Sequence, residues 1–195
     1  EVMTEKLTVI SGPMFAGKTD EMLRRLRRAE VIDKKVQVFK PRIDDRWGEV
    51  DKIGSHSGGR RKAFVVASPG EILEKLQEGV DIVAISEVQF MDIEVVDAVL
   101  ELLDRDIEVI VDGLPTDFKR EPFGVMPILL ALADEIEHLT ALCDEEMNGG
   151  VKCGEDATLT QRFVNGAPAK SDDPVVVIGA EEQYAARCYK HHKVR

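Results

Sequence analysis

The chain has 195 residues, 44% hydrophobic and 32% charged, with a net charge of -11 and a pI of about 4.9. This is the composition of a soluble globular protein with a core of its own, and it excludes a general affinity for nucleic acid or anionic membrane, which asks for a basic surface. No stretch approaches the roughly 20 apolar residues of a membrane span, the first residues lack a leader pattern, and three cysteines in the C-terminal part do not make a secreted disulfide framework; a cytoplasmic enzyme with small substrates is expected.

The apolar run Leu7-Thr8-Val9-Ile10 reads as a buried strand, and Lys18 to Val31 reads as a helix with Met22, Leu23, Leu26 and Ala29 on its buried face. Between them lies Gly12-Pro13-Met14-Phe15-Ala16-Gly17-Lys18-Thr19, a P-loop with the strand before it and the helix after it that such a loop requires. The glycines let successive N–H groups curl around phosphate oxygens, and the helix start adds its positive end. Lys18 supplies a point charge to the terminal phosphates and Thr19 a hydroxyl for magnesium, so ATP with Mg2+ is the expected ligand. Arg24, Arg25, Arg27 and Arg28 lie mostly off the apolar stripe and read as a solvated face.

Lys35 to Phe39 is a second strand, which makes a βαβ unit and a parallel sheet. The polar loop Lys40-Pro41-Arg42-Ile43-Asp44-Asp45-Arg46-Trp47 leaves its C-terminal end, where parallel sheets place their ligand crevice. Ala63 to Val66 reads as a short strand, and 69–78 as a helix with Ser68 as its cap. Asp81 to Ile85 is a buried strand that runs into Ser86-Glu87-Val88-Gln89-Phe90. An acidic residue ending such a strand points at the reacting groups of a P-loop site, which makes Glu87 the candidate general base. A helix over 93–103, a strand over 107–111, a helix over 126–133 and a last core strand over 136–142 follow. The long loop from Asp112 to Gly124 carries Phe118 and Phe123, either packed on the core or lining an apolar pocket.

Composition shifts at Cys143. The remaining residues hold all three cysteines and few large apolar side chains, and Cys188-x-x-His191 has ligand spacing. Cys143, Cys153, Cys188 and His191 make a Cys3His set for structural zinc, with His192 as the alternative fourth ligand. The expected organisation is a mostly parallel P-loop α/β domain over 1–142 and a small zinc-binding domain with a lasso-like lid over 143–195.

The order of these motifs resembles the type II, zinc-containing thymidine kinase family. The likeness runs from Leu7 to His191 and includes the P-loop, Lys40 to Arg46, Ser55-His56, Glu87 to Phe90, Gly113-Leu114 with Asp117-Phe118, Glu121 to Gly124, Leu139 to Cys143, Ala157 to Arg162, Val177 to Gly179 and Tyr184. The resemblance implies phosphoryl transfer from ATP to thymidine or deoxyuridine. It implies Glu87 as base, with Arg46 and Lys18 at the transferring phosphoryl. Met14, Leu114, Phe118 and Phe123 would surround the base, with Asp44, Gln89 and Phe90 nearby, while Val177, Gly179 and Tyr184 would close over the nucleoside. It further implies a homotetramer inhibited by thymidine triphosphate. The sequence departs from the family at Ser86, where an aspartate is expected as a magnesium partner; Ser86 brings no charge, so weaker magnesium binding or turnover is expected. Pro115 also stiffens the loop after Leu114, and the first cysteine pair is widely spaced. A second reading is a P-loop ATPase or nucleotide-binding protein with impaired nucleoside kinase activity.

Overall fold

The computed structural model describes residues 6–43, 51–54, 58–176 and 183–195. β1 (Leu7–Ser11), α1 (Lys18–Glu30) and β2 (Val36–Pro41) form the first βαβ unit. A hairpin absent from the sequence reading, β3 (Lys52–Gly54) with β4 (Arg60–Lys62), precedes β5 (Phe64–Val66). α2 (Gly70–Glu74), β6 (Ile82–Ile85), α3 (Val95–Asp104), β7 (Glu108–Gly113), α4 (Met126–Leu132) and β8 (Glu135–His138) complete the larger part. The six sheet strands lie in the order β5-β2-β6-β7-β1-β8, and every pairing is parallel.

Both faces of this sheet are covered, which is why its central strands read as continuous apolar runs rather than alternating ones. On one face Leu7, Val9, Val83, Ile85, Val109 and Val111 pack with Ile72 of α2, Val95, Val99 and Leu102 of α3, and Met126 and Leu129 of α4. On the other, Ile10, Val38, Ala84 and Ile110 pack with Met22, Leu23 and Leu26 of α1. The period-2 split of one strand between two cores follows from the pleat. Arg25 departs from the solvated face: it pairs with Glu21 of its own helix and with Glu135 and Glu137 of β8, pinning α1 to the edge strand.

Two elements differ from their sequence reading. The helix over 69–78 ends at Glu74, because buried Gln37 of β2 takes over the backbone groups beyond it. The Gln37 amide donates to the Lys75 carbonyl at 2.8 Å and accepts the Gln77 N–H at 2.9 Å. The strand over 136–142 is two strands. β8 is an edge strand with Ile136 51% exposed. After it the chain turns into β9 (Ala141–Leu142), which pairs antiparallel with β10 (Asp156–Ala157) in a separate sheet. A third sheet sets β11 (Leu159–Val164) between β12 (Ala167–Pro168) and β13 (Gln183–Arg187), all antiparallel. Among the described residues, no helix is long and apolar enough to cross a membrane.

Gly124 holds the loop after β7 against the turn at Gln89 that follows β6. Its φ is +52°, and a Cβ there would stand 2.3 Å from the Gln89 carbonyl oxygen. Gly124→Ala combines left-handed strain with a clash against backbone, and is expected to cost about 2 kcal/mol or more. Urea denaturation checks this: the midpoint falls with the slope unchanged.

Candidate active site

The P-loop leaves β1 at Gly12, where a Cβ would sit 2.4 Å from the Leu139 carbonyl oxygen, so only glycine lets the two backbones approach. Phe15 and Gly17 take left-handed conformations, at φ 66° and 82°, and turn the loop into the first turn of α1. The Lys18 ammonium donates to the Pro13 carbonyl at 2.8 Å, across the loop that it closes. Its depth in the protein pushes its pKa down, opposed by the charges of Asp112 and Glu87.

Glu87 follows β6 and stands in the left-handed region, at φ 54° and ψ 44°. A non-glycine residue held there marks stored strain, which recurs at functional sites. Its N–H donates to Asp112 Oδ1 at 2.7 Å, and the Ser86 hydroxyl donates to the same oxygen at 3.2 Å. Asp112 ends β7 and is 1% exposed. The Glu87 side chain is open to the cavity described below, yet the floor on which it stands is deep in the protein. That depth, and then the neighbouring Asp112 charge, raise its pKa, against Lys18 and Lys40. Burial raises the Asp112 pKa too, opposed by the Glu87 N–H, Lys18 and Ser86.

Lys18, Glu87 and Asp112 line a cavity of about 350 Å³, within the size range of small-molecule sites. Met14, Phe15, Gly17, Lys18 and Thr19 reach it from the P-loop, while Gly12, Pro13 and Ala16 shape the loop around them. Gln89, Phe90, Leu114, Phe118, Phe123 and Tyr184 line the remainder. Both phenylalanines of the long loop therefore face the cavity, and Phe118 is also buried. Phe90 and Phe123 meet edge to face at 5.4 Å, and the Arg162 guanidinium lies over the Phe118 ring at 5.2 Å. The Gln89 side-chain oxygen accepts the Leu114 N–H at 3.3 Å. The cavity lining thus combines the charged Lys18, Glu87 and Asp112 with the aromatic Phe90, Phe118 and Phe123. The expected site residues Asp44, Arg46, Val177 and Gly179 lie outside the described residues, as does His56.

Three contributors escaped the sequence reading. Asp112 carries the same signal as Glu87, an acid ending a buried strand, but in sequence it also opens the long loop to Gly124. Asp117 organises that loop: its Oδ1 accepts the N–H groups of Lys119 and Glu121 at 2.8 and 3.0 Å. Thr160 of β11 accepts the Met14 N–H on its hydroxyl at 3.1 Å, which joins the C-terminal part to the P-loop. No local pattern marks a threonine for such a contact, since its partner is 146 residues away.

The sulfur atoms of Cys143, Cys153 and Cys188 and one ring nitrogen of His191 lie within 4.8 Å of one another. His191 Nδ1 is 3.5 Å from Cys143 Sγ and 3.4 Å from Cys188 Sγ. Three thiols and an imidazole converging this closely fit a tetrahedral zinc site. The wide spacing of the first pair is absorbed by a hairpin-like excursion in which Cys153 N–H donates to the Glu145 carbonyl and Gly154 N–H to that of Cys143. His192 has different work. Its Nδ1 accepts from Arg120 Nε at 2.9 Å and its Nε2 lies 3.1 Å from the Thr160 carbonyl, so both ring nitrogens are engaged. The choice between the two histidines therefore falls on His191.

A family model for thymidine kinase matches residues 5–192 of the chain. Among solved structures, the chain is similar to the Legionella pneumophila ATPase DotB, with 16% identity and a TM-score of 0.41. That match covers 66% of this chain and 34% of the other, so the chain spans about a third of that ATPase's length.

Elemental analysis is expected to find one zinc ion per chain. His191→Ala should lower the zinc content sharply, whereas His192→Ala should retain it; equal loss from both variants would contradict the assignment.

Proposed function

Since the chain belongs to the thymidine kinase family, we propose that it transfers the γ-phosphoryl group of ATP to the 5′-hydroxyl of thymidine or deoxyuridine, yielding the nucleoside monophosphate for salvage. The observation that carries this reading is the mixed lining of one cavity: the P-loop with Glu87, and Leu114, Phe118 and Phe123, all face the same space. The triphosphate takes the P-loop part of this lining and a flat, apolar-faced base the aromatic part, with the 5′-hydroxyl at Glu87.

Glu87 accepts the proton of the 5′-hydroxyl as that oxygen attacks, and the pinned backbone at 87 keeps the carboxylate aimed at the attacking atom. Lys18 leaves the Pro13 carbonyl for the phosphates and offsets the charge that spreads over the transferring group. Arg46, in the role that the family resemblance implies, would add a second positive charge there. Thr19 would hold magnesium, which would supply charge neutralisation at the phosphate oxygens. The family resemblance implies that Tyr184, Val177 and Gly179 contact the nucleoside, with the zinc-binding part as their support. Thymidine triphosphate, which carries both the base and the phosphates, fits the same cavity as an end-product inhibitor. A homotetrameric, cytoplasmic enzyme belongs to the same reading.

Two measurements test it. Thymidine should stimulate ADP release from ATP, and Glu87→Gln should lower that rate by about 10²–10⁴-fold. Thymidine-independent hydrolysis, unaffected by the substitution, would favour an ATPase instead. The base must be ionised to act and its pKa is raised, so the rate climbs with pH through that raised value. The acidic limb of the kcat/KM profile is therefore expected above the ordinary glutamate value of 4.5; a limb at or below it would remove Glu87 as the base.

A further inference from the structure

P-loop enzymes hold magnesium with the loop serine or threonine and with an aspartate ending a neighbouring strand. In this chain the strand that leads to the base ends in Ser86, which is 3% exposed and uncharged. The geometry points to Asp112 as the residue that supplies this charge, moved from the end of β6 to the end of β7. The inference rests on the proposed triphosphate–magnesium site at the P-loop.

The sheet order puts β7 between β1, which leads into the P-loop, and β6, which leads into Glu87. Ile10 pairs with Asp112 on one side, and Ile85 with Val111 on the other. The shift therefore moves the carboxylate by one strand, about 4.8 Å, to a strand end that lies between the one leading into the P-loop and the one leading into Glu87. Asp112 shares the cavity lining with Lys18, Thr19 and Glu87.

Its hydrogen bonds show how it can serve both neighbours. Oδ1 accepts the Glu87 N–H at 2.7 Å and the Ser86 hydroxyl at 3.2 Å. Oδ2 makes, among the described residues, only a 3.4 Å contact with that same hydroxyl. One oxygen thus fixes the base and the other retains acceptor capacity for a water of the metal's shell. Ser86 fits as the partner of a displaced aspartate: a hydroxyl orients the carboxylate, where a second aspartate would set two negative charges side by side in a buried place. Enclosing Asp112 and Glu87 together costs free energy, which Lys18 offsets only in part, and an entering divalent cation relieves the remainder. The missing charge at 86 is in this view no defect, and Ser86→Asp alone should impair the site rather than improve it.

The test uses equilibrium binding of adenylyl-imidodiphosphate by calorimetry, with and without magnesium. In the unaltered protein magnesium should tighten binding. Read as the ratio of affinities with and without the metal, Asp112→Asn should lose about 10–100-fold of the magnesium effect, the range for removing a group that orients a metal's shell. The exchanged pair Ser86→Asp with Asp112→Ser should recover most of it. A folded Asp112→Asn protein with the full magnesium effect overturns the inference and leaves the phosphoryl-transfer reading intact. An unaltered protein whose binding ignores magnesium overturns both. If Asp112→Asn does not fold, the exchanged pair decides: a magnesium effect retained supports the relocated charge, and one lost in a folded protein overturns it.

Discussion

The site depends on one constraint, the parallel direction of every strand in the main sheet. A parallel strand delivers its C-terminal end to the same edge as its neighbours, and each crossover helix returns the chain to the far edge. β1, β6 and β7 therefore release the P-loop, Glu87 and Asp112 side by side, although these residues are separated by up to a hundred positions. Nothing in the loops themselves needs to find its partners, because the sheet register does so: Val9 opposite Val111 and Ile85 opposite Val111 put three strand ends level. The strain at Glu87 is tolerated because the Asp112 carboxylate holds its N–H from the adjacent strand.

Such a sheet is legible in a sequence because its central strands are buried on both faces and its helices on one. The apolar runs at 7–10, 81–85 and 107–111 and the stripe of Met22, Leu23 and Leu26 announce themselves locally. The P-loop is legible for a different reason: its glycines answer a backbone demand that few other residues can meet, and Gly12 against the Leu139 carbonyl shows how tight that demand is. Glu87 was found because an acid ends an apolar run. The ligand set Cys143, Cys153, Cys188 and His191 was found from residue type and partial spacing, since few other roles explain cysteine and histidine together at the end of a chain.

What stayed hidden involves partners distant in the chain. Gln37 ends a helix from another element, and its sequence context is that of an ordinary strand residue. Choosing His191 over His192 needed the position of Arg120, which occupies the second ring. The role of Ser86 changes with knowledge of Asp112: alone it reads as a lost charge, and beside a carboxylate it reads as a hydroxyl donor. The split of 136–142 was hidden because an apolar run says nothing about which sheet each of its halves will join.

Thr160 occupies a position between two chemistries. Its hydroxyl holds the Met14 N–H of the P-loop, and its carbonyl lies against His192, next in the chain to a metal ligand. Two sites that share one residue share its conformational free energy, and linkage makes that sharing symmetrical. To whatever degree zinc steadies Thr160 for the P-loop, nucleotide at the P-loop steadies the zinc by the same factor. A metal held by Cys143, Cys153, Cys188 and His191 would thus be thermodynamically a distant partner of phosphates at the P-loop as well as a fastening for the C-terminal part.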